Sequence, residues 1–465
     1  MAVIAADGIH EECGVFAIYT NNEEVASRAY YGLFALQHRG QEACGIATSN
    51  QGRIEFYKSQ GLVTEVFNED NLSHLHGRCG IGHVRYSNSD GNANINIQPI
   101  VAHYLQGDVA LAMNGALTNT EKLRQWLAQS GSVFQTTTDA ELVCNLLARY
   151  GHGSLDVSIS QAMADLQGSY ALVAMNHDTI YAARDPYGNR PLCIGKLPNG
   201  YCIASESCSL DTIGATFVRD VRPGETITLD ADGIHSRDLA NPPQPAHCAF
   251  EYVYFARPDS TIDGINVNLS RRRMGAILAR EIADELDVDV VIPVPDSGTS
   301  AAIGFAEASG IEFTPGILKN RYTGRTFIAP TQEMREQLVK LKLNPIREEL
   351  EGRRIAVVDD SIVRGTTSKR LVALLKERGA KEVHFLVTCP PVVNPCYYGI
   401  DTAERDRLIA TKMDIEGIRT YIGADSLHFL SSEGLLEALG GEPRFCDACV
   451  GGAYHLGVPE EGEKI

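Results

Sequence analysis

Three things are scarce in this chain, and each scarcity narrows what it can be. No apolar run approaches the roughly 20 residues that carry a helix across a bilayer, so no membrane-spanning segment is expected. The opening Met1-Ala-Val-Ile-Ala-Ala-Asp-Gly-Ile-His10 lacks the cationic stretch and longer apolar core of a secretory leader, and a cytoplasmic protein is expected. Basic residues are outnumbered, 41 Lys and Arg against 59 Asp and Glu, for a formal charge of −18. That balance argues against nucleic acid or an anionic membrane as a partner. A phosphate ligand would need a local basic cluster. Length and cysteine are plentiful by contrast. At 465 residues the chain suggests two or three domains. Its 12 cysteines, in a cytosolic setting, suit thiols, catalytic groups or metal ligands better than a disulfide framework.

The stretch Arg354-Ile-Ala-Val-Val-Asp-Asp-Ser-Ile-Val-Arg-Gly-Thr-Thr-Ser368 reads as a buried strand entering an anion-binding loop and then a helix. Backbone N–H groups of Ile362 to Thr367 and the positive helix end can hold a phosphate, with the hydroxyls of Thr366, Thr367 and Ser368 as further donors. Asp359 and Asp360 would repel that phosphate unless they met hydroxyls or a divalent cation. The run resembles the signature of type I phosphoribosyltransferases, which bind 5-phosphoribosyl-1-pyrophosphate (PRPP). The resemblance implies that Asp359 and Asp360 contact the ribose diol, that Ser361, Arg364, Gly365, Thr366, Thr367 and Ser368 surround the 5-phosphate, and that Mg²⁺ bridges diol and pyrophosphate.

In the first half, Cys13 opens a strand-like run to Tyr19, a helix is predicted from Glu24 to His38, and strands over Cys44–Thr48 and Ile54–Lys58. Thr118-Asn-Thr-Glu121 fits a capping box for a helix to about Gln129, and Thr138-Asp-Ala-Glu141 starts another to Tyr150. Further strands at Tyr170–Met175 and Ile180–Ala183 make this half strand-rich, an α+β layered sandwich rather than alternating βαβ units. Cys13-Gly-Val-Phe, Gln37-His-Arg-Gly-Gln-Glu, His83-Val-Arg-Tyr, Asn114-Gly-Ala-Leu, Thr138-Asp-Ala-Glu and Arg184-Asp-Pro-Tyr-Gly resemble, in that order, the glutaminase domain of N-terminal-nucleophile (Ntn) amidotransferases. That resemblance implies a four-layer αββα fold and a propeptide, residues 1–12, removed to leave Cys13 at the chain terminus. A free α-amino group, with a reference pKa of about 7.7–8.0, then sits beside the thiol as its base. It also implies Asn114 and the Gly115 N–H as oxyanion donors, Arg85 on the glutamine α-carboxylate and Asp139 on its α-ammonium.

After the linker Asn241-Pro-Pro-Gln-Pro245, helix and strand alternate to about Thr388, as in a parallel α/β sheet, with a helix over Leu269–Leu286 and a strand over Val288–Val294. Pro295-Asp-Ser-Gly-Thr-Ser300 resembles the pyrophosphate loop of phosphoribosyltransferases and places Ser297 in the Mg²⁺-pyrophosphate shell. Lys319-Asn-Arg-Tyr-Thr-Gly-Arg-Thr-Phe-Ile328 is the required basic cluster, with the make-up of a closing lid, and matches the family's flexible loop, implicating Lys319, Arg321 and Tyr322. Cys446-Asp-Ala-Cys449 is a Cys-x-x-Cys pair that Cys248 and Cys396 would complete, with Cys389 competing for the place of Cys396. Spacing alone leaves structural Zn²⁺ and an iron–sulfur cluster both open. Cys44, Cys79, Cys144, Cys193, Cys202 and Cys208 read as core.

Together the resemblances imply the glutamine PRPP amidotransferases, in their propeptide-bearing subgroup with a [4Fe-4S] cluster at matching cysteines. The expected division is a propeptide over 1–12, a glutaminase domain over 13–240, a phosphoribosyltransferase domain over 248–440 and a cysteine-bearing segment over 441–465. The implied reaction makes 5-phosphoribosylamine, glutamate and pyrophosphate, the first committed step of purine synthesis. Purine nucleotides are expected as feedback inhibitors and a homo-oligomer, tetrameric in the family, as the assembly. A sugar aminotransferase would share the first half only, and a PRPP-sensing regulator the second only. Cys13→Ala is expected to abolish glutamine-dependent but not ammonia-dependent amination of PRPP, while Asp359→Asn impairs both, as read by pyrophosphate release with each nitrogen source.

Overall fold

The computed structural model describes residues 13–21, 25–86, 94–151, 153–283, 285–320, 343–400, 402, 404–442 and 444–459. The strands of the first half are β1 Gly14–Thr20, β2 Ala43–Asn50, β3 Arg53–Gln60, β4 Cys79–Arg85, β5 Ile100–Tyr104, β6 Gly107–Leu117, β7 Gly168–Asn176, β8 Thr179–Arg184, β9 Cys193–Leu197, β10 Gly200–Ala204, β11 Thr216–Asp220, β12 Thr226–Asp230 and β13 Gly233–Arg237. They form two sheets, ordered β11-β9-β10-β1-β4-β2-β3 and β13-β12-β8-β7-β6-β5, in which all neighbouring strands are antiparallel. Their facing sides share one core, with Val15, Ala17 and Ile81 from one sheet against Ala110, Ala112 and Val173 from the other. Small residues there let two sheets approach closely.

Each sheet's outer face is closed by helices. Val25–Ala35 and Ser207–Thr212 pack their apolar sides on the first sheet, among Phe16, Ile18 and Leu33. Thr120–Gln129, Asp139–Arg149 and Leu155–Asp165 cover the second, among Leu111, Leu146 and Tyr170. Four layers, αββα, result. Six cysteines expected in the core, Cys44, Cys79, Cys144, Cys193, Cys202 and Cys208, are all buried.

The second half is built on a parallel sheet of Val290–Pro293, Arg354–Asp359, Glu382–Val387 and Ser426–Phe429, in that spatial order, with a bridge from Val291 to Phe313 extending its other edge. The chain steps from Val290–Pro293 outward to Phe313 and then back across to Arg354–Asp359. The switch point therefore lies between Val290–Pro293 and Arg354–Asp359, where ligands of open α/β sheets bind beyond the carboxyl ends.

Several expectations need correction. The helix predicted to run through His38 ends at Ala35 and gives way to a 3₁₀ turn over Gln37–Arg39. Glu24 lies outside the described residues. The helix at Thr120–Gln129 forms, but without the capping box. Its N-cap Asn119 makes no side-chain cap bond, Thr118 Oγ1 donates to Leu456 O at 3.4 Å, and Thr120 Oγ1 donates to Asp139 Oδ1 at 2.7 Å. Tertiary partners took those hydroxyls. Thr138 does cap its helix, accepting from Glu141 N. Strand and helix alternate beyond Thr388, through Ser426–Phe429 to Ser432–Ala438.

Helices Val267–Glu281 and Thr299–Ser309 pack almost backbone to backbone. A Cβ on Gly275 would run into the carbonyl oxygen of Ala301, and one on Gly304 into that of Arg272. Overpacking of this kind costs about 1–3 kcal/mol, and each kcal/mol moves a midpoint by about 2–4 °C for a unit of 150–250 residues. Gly275→Ala is expected to lower the thermal midpoint by roughly 5 °C, measured by calorimetry.

Candidate functional site

Cys13 stands immediately before β1, and the register Gly14↔Val84 places it opposite Arg85 at the end of β4. Its Sγ lies 3.7 Å from Tyr86 O, and its carbonyl accepts from Arg39 Nε at 3.2 Å. Arg85 is buried. Across the sandwich, His83 Nε2 lies 3.2 Å from the carbonyl of Met113, the residue before Asn114. Burial, then the charge of Arg85, push the His83 imidazole down to about 3. It is therefore neutral, with its Nε2–H donating to that carbonyl.

Asn114 is almost completely buried, yet among the described residues its Nδ2 has no hydrogen-bond partner. An orphan amide donor in a sealed site is costly unless a ligand oxygen satisfies it. Gly115 follows at φ 129°, and a side chain there would collide with the carbonyl of Ser169, so only glycine fits. Asp139 accepts from Leu117 N at 2.9 Å and from Thr120 Oγ1. Burial raises its carboxyl above the ordinary range despite these bonds. A cationic ligand group would offset that.

At the switch point of the parallel sheet, Asp359 and Asp360 are both buried. Asp359 Oδ1 accepts from Asp360 N at 3.0 Å, and Asp360 Oδ2 accepts from Ser361 Oγ at 2.5 Å. Burial, then the neighbouring Asp360 charge, lift the Asp359 carboxyl well above its usual range. Burial also raises Asp360, against a hydrogen bond from Ser297 and the nearby charge of Arg271. Hard carboxylate and hydroxyl oxygens converging there suit Mg²⁺. Gly365 (φ 75°) starts the following helix, and Thr366 Oγ1 is buried with no hydrogen-bond partner among the described residues. Arg364 and Thr367 lie in that same turn and Ser368 is buried in the helix. Lys319 Nζ pairs with Asp296 Oδ2 at 2.7 Å, tying the root of the basic segment to the pyrophosphate-type loop. Arg321 and Tyr322 lie outside the described residues.

The four cysteines meet. His247–Cys248 runs parallel to Phe445–Cys446 with Cys248 opposite Cys446. Asn394 N and Val393 N both donate to Cys449 O, bringing up the segment with Cys396. Cys248, Cys396, Cys446 and Cys449 line one cavity of about 10 Å³, together with Tyr398 and Tyr454. Tyr398 N donates to Cys396 Sγ at 3.3 Å. Burial pushes the Cys446 thiol up to about 12 and Cys449 well above its usual range. Cys389 is fully buried and does not line the cavity. Among the described residues no three His, Cys, Asp or Glu converge as a single-ion site.

Arg39 lies inside the Gln37–Glu42 motif and Glu251 outside every motif named above, and sequence alone assigns neither a role. A lone acid within Cys248-Ala-Phe-Glu-Tyr-Val-Tyr-Phe-Ala256 was the available signal, because a charge in an apolar run demands a buried partner. That partner is Arg39, which meets Glu251 at 2.5 and 2.9 Å and also Glu206 at 2.6 Å. Burial would raise the Glu251 carboxyl, but Arg39 holds it below its ordinary value.

Residues 83–212 match the glutamine amidotransferase domain family and residues 269–418 the phosphoribosyl transferase domain family. Fold and sequence thus define a glutamine amidotransferase joined to a phosphoribosyltransferase. The chain is 47% identical over 453 residues to the amidophosphoribosyltransferase of Bacillus subtilis (strain 168), covering 96% of this chain and 94% of that one. It is 48% identical over 460 residues to that of Methanocaldococcus jannaschii, covering 95% and 97%. The structure of the B. subtilis glutamine PRPP amidotransferase complexed with ADP and GMP superposes with a TM-score of 0.91 at 45% identity, covering 97% of this chain and 98% of that one. The chain belongs to the amidophosphoribosyltransferase family. Among the described residues no helix is long and apolar enough to cross a membrane.

His83 supplies a pH signature. Its folded pKa lies below the unfolded value of about 6.5, so the unfolded chain binds more protons and stability falls as pH drops through that value toward 3. His83→Gln is expected to reduce the loss of thermal midpoint between pH 7 and pH 5, each unit below 6.5 being worth up to roughly 1.4 kcal/mol. Parallel midpoints for parent and variant would check it.

Proposed function

We propose that this chain uses Cys13 to release ammonia from glutamine and the Asp359–Asp360 site to add that ammonia to PRPP, yielding 5-phosphoribosylamine, glutamate and pyrophosphate. The observation that carries the reading is the orphan Nδ2 of Asn114 beside the left-handed Gly115, an oxyanion site in the same chain as a paired-aspartate, phosphate-binding switch point. Loss of one such oxyanion donor typically costs a hundredfold or more in rate. Arg85 would fork onto the α-carboxylate, and Asp139 onto the α-ammonium, which selects a free amino acid. The thiol attacks the carboxamide carbon, and a free α-amino group on Cys13 takes its proton. An uncleaved chain carries an amide nitrogen there and has no such base, which favours removal of residues 1–12.

At the second site Asp359 and Asp360 receive the ribose diol, and the turn from Ser361 to Ser368 receives the 5-phosphate with Arg364, Gly365, Thr366 and Thr367. Asp359, Asp360 and Ser297 are the residues that would hold Mg²⁺, which supplies charge compensation for the departing pyrophosphate. Lys319, Arg321 and Tyr322 belong to the basic segment that would close over it. Closure excludes water, so ammonia crosses between sites unprotonated. The linker at 241–245 divides the two activities, with 13–240 and 248–440 as their domains.

Cys248, Cys396, Cys446 and Cys449 are the proposed ligands of a [4Fe-4S] cluster, supported by their shared apolar cavity and the N–H bond onto Cys396 sulfur. When bound, such a cluster supplies a four-point crosslink between residues far apart in sequence. Purine nucleotide inhibition is favoured by the ADP and GMP of the B. subtilis relative's structure, and a cytoplasmic homotetramer is what the family resemblance implies.

Anaerobically purified protein is expected to begin at Cys13, to absorb in the visible, and to carry about four irons per chain. Cys446→Ser should lose both colour and iron. Fully active, colourless protein that still begins at Met1 would contradict both assignments, as read by intact mass and iron analysis.

A further inference from the structure

The two halves of the molecule meet across one sealed carboxylate. Glu251, from the second half, accepts from Arg39 Nη1 at 2.9 Å, Arg39 Nη2 at 2.5 Å and Arg190 Nη1 at 3.4 Å. All three side chains are buried. Each arginine then reaches onward into the glutaminase site. Arg39 Nε donates to the carbonyl of Cys13 at 3.2 Å. Arg190 Nε and Nη2 donate to the carbonyl of Tyr398 at 3.0 and 2.5 Å, and the Ser169 hydroxyl donates to the same oxygen.

What that second arm positions is the residue after Tyr398. Gly399 lies flat against the oxyanion glycine, and a Cβ built on it would stand 3.1 Å from both Cα and C of Gly115. The peptide that presents Gly115 is thus backed by a peptide of the other domain. One arm from Glu251 ends on the nucleophile's own carbonyl, the other on the backbone behind the oxyanion donor. A misplacement of about 1 Å at such groups can cost about a hundredfold in rate.

We infer that Glu251 is a positioning residue for glutamine hydrolysis supplied by the phosphoribosyltransferase half, aligning Cys13 through Arg39 and Gly115 through Arg190, Tyr398 and Gly399. The inference rests on the roles proposed above for Cys13 and Gly115. Glu251 touches neither substrate. Its loss misaligns the first site and leaves the paired-aspartate site intact. Arg39 retains Glu206 as a partner at 2.6 Å, so the variant side chain does not strand a wholly unpaired arginine.

The test uses the full chain and compares glutamine-dependent with ammonia-dependent pyrophosphate release from PRPP. Glu251→Gln is expected to lower the glutamine-dependent kcat at least tenfold, with glutamine KM within threefold and ammonia-dependent turnover within twofold of the parent. Glu251→Asp, which keeps the charge, should recover part of that kcat. Ser169→Ala removes one donor to Tyr398 and should shift the same ratio in the same direction, which keeps the inference testable should Glu251→Gln fail to accumulate. Equal losses with both nitrogen sources, or an unchanged glutamine-dependent kcat, would overturn it. Cys13→Ala in the same assay separates the two claims: retained glutamine-dependent turnover would defeat the nucleophile assignment itself, and the inference with it.

Discussion

A carboxylate removed from water must find cations, and at the junction of the domains that requirement fixes how they sit. Glu251 lies between Arg39 and Arg190, and Arg39 in turn between Glu251 and Glu206. Such groups are weak contributors to net stability, since desolvation offsets most of the attraction, yet deleting one partner costs about 3–5 kcal/mol. Their effect is selective. A rotated or slipped arrangement of the domains would leave buried charges unpaired, so one docking geometry is favoured over its neighbours. Arg184 with Asp263 repeats the device nearby, at 2.8 Å. The same junction carries Cys13 on one side and the cysteine-lined cavity on the other.

The two active sites solve opposite electrostatic problems. In the proposed reaction, Asn114 Nδ2 and the Gly115 N–H are the donors offered to a negative charge that exists only during turnover. The second site gathers two carboxyl groups out of water: burial lifts Asp359 and Asp360 above the usual carboxylate range, and in the proposed role a cation and a diol would offset that cost. Both arrangements are costly without ligand. Asn114 and Gly115 lie within β6 and Asp359 ends a parallel strand, so paired sheet braces both sites and can bear that cost.

Much of this was legible in the sequence, for identifiable reasons. Glycine and polar residues interrupting or ending an apolar strand, as in Asn114-Gly115 and Asp359-Asp360, mark places where chain geometry and chemistry coincide. The β-branched run at Arg354–Asp359 could hardly be other than a buried strand. What escaped were relations between segments distant in sequence. Thr118 looked like a helix cap because its spacing to Glu121 was right, but its hydroxyl met Leu456 instead. The parallel pairing that sets Cys248 beside Cys446 has no local signature. Neither does the contact of Gly399 with Gly115. The helix through His38 ended early because Arg39 had to turn inward to meet Glu206 and Glu251.

The central claim is that nitrogen freed at Cys13 reaches the sugar-phosphate site through the protein. The direct measurement supplies glutamine labelled with ¹⁵N in its amide, together with unlabelled ammonium at concentrations too low to sustain turnover alone, and reads the isotope in trapped 5-phosphoribosylamine. Complete retention of ¹⁵N at every ammonium concentration is the predicted result. Dilution of the label in proportion to added ammonium would show that the two sites exchange through bulk water, and would contradict the account.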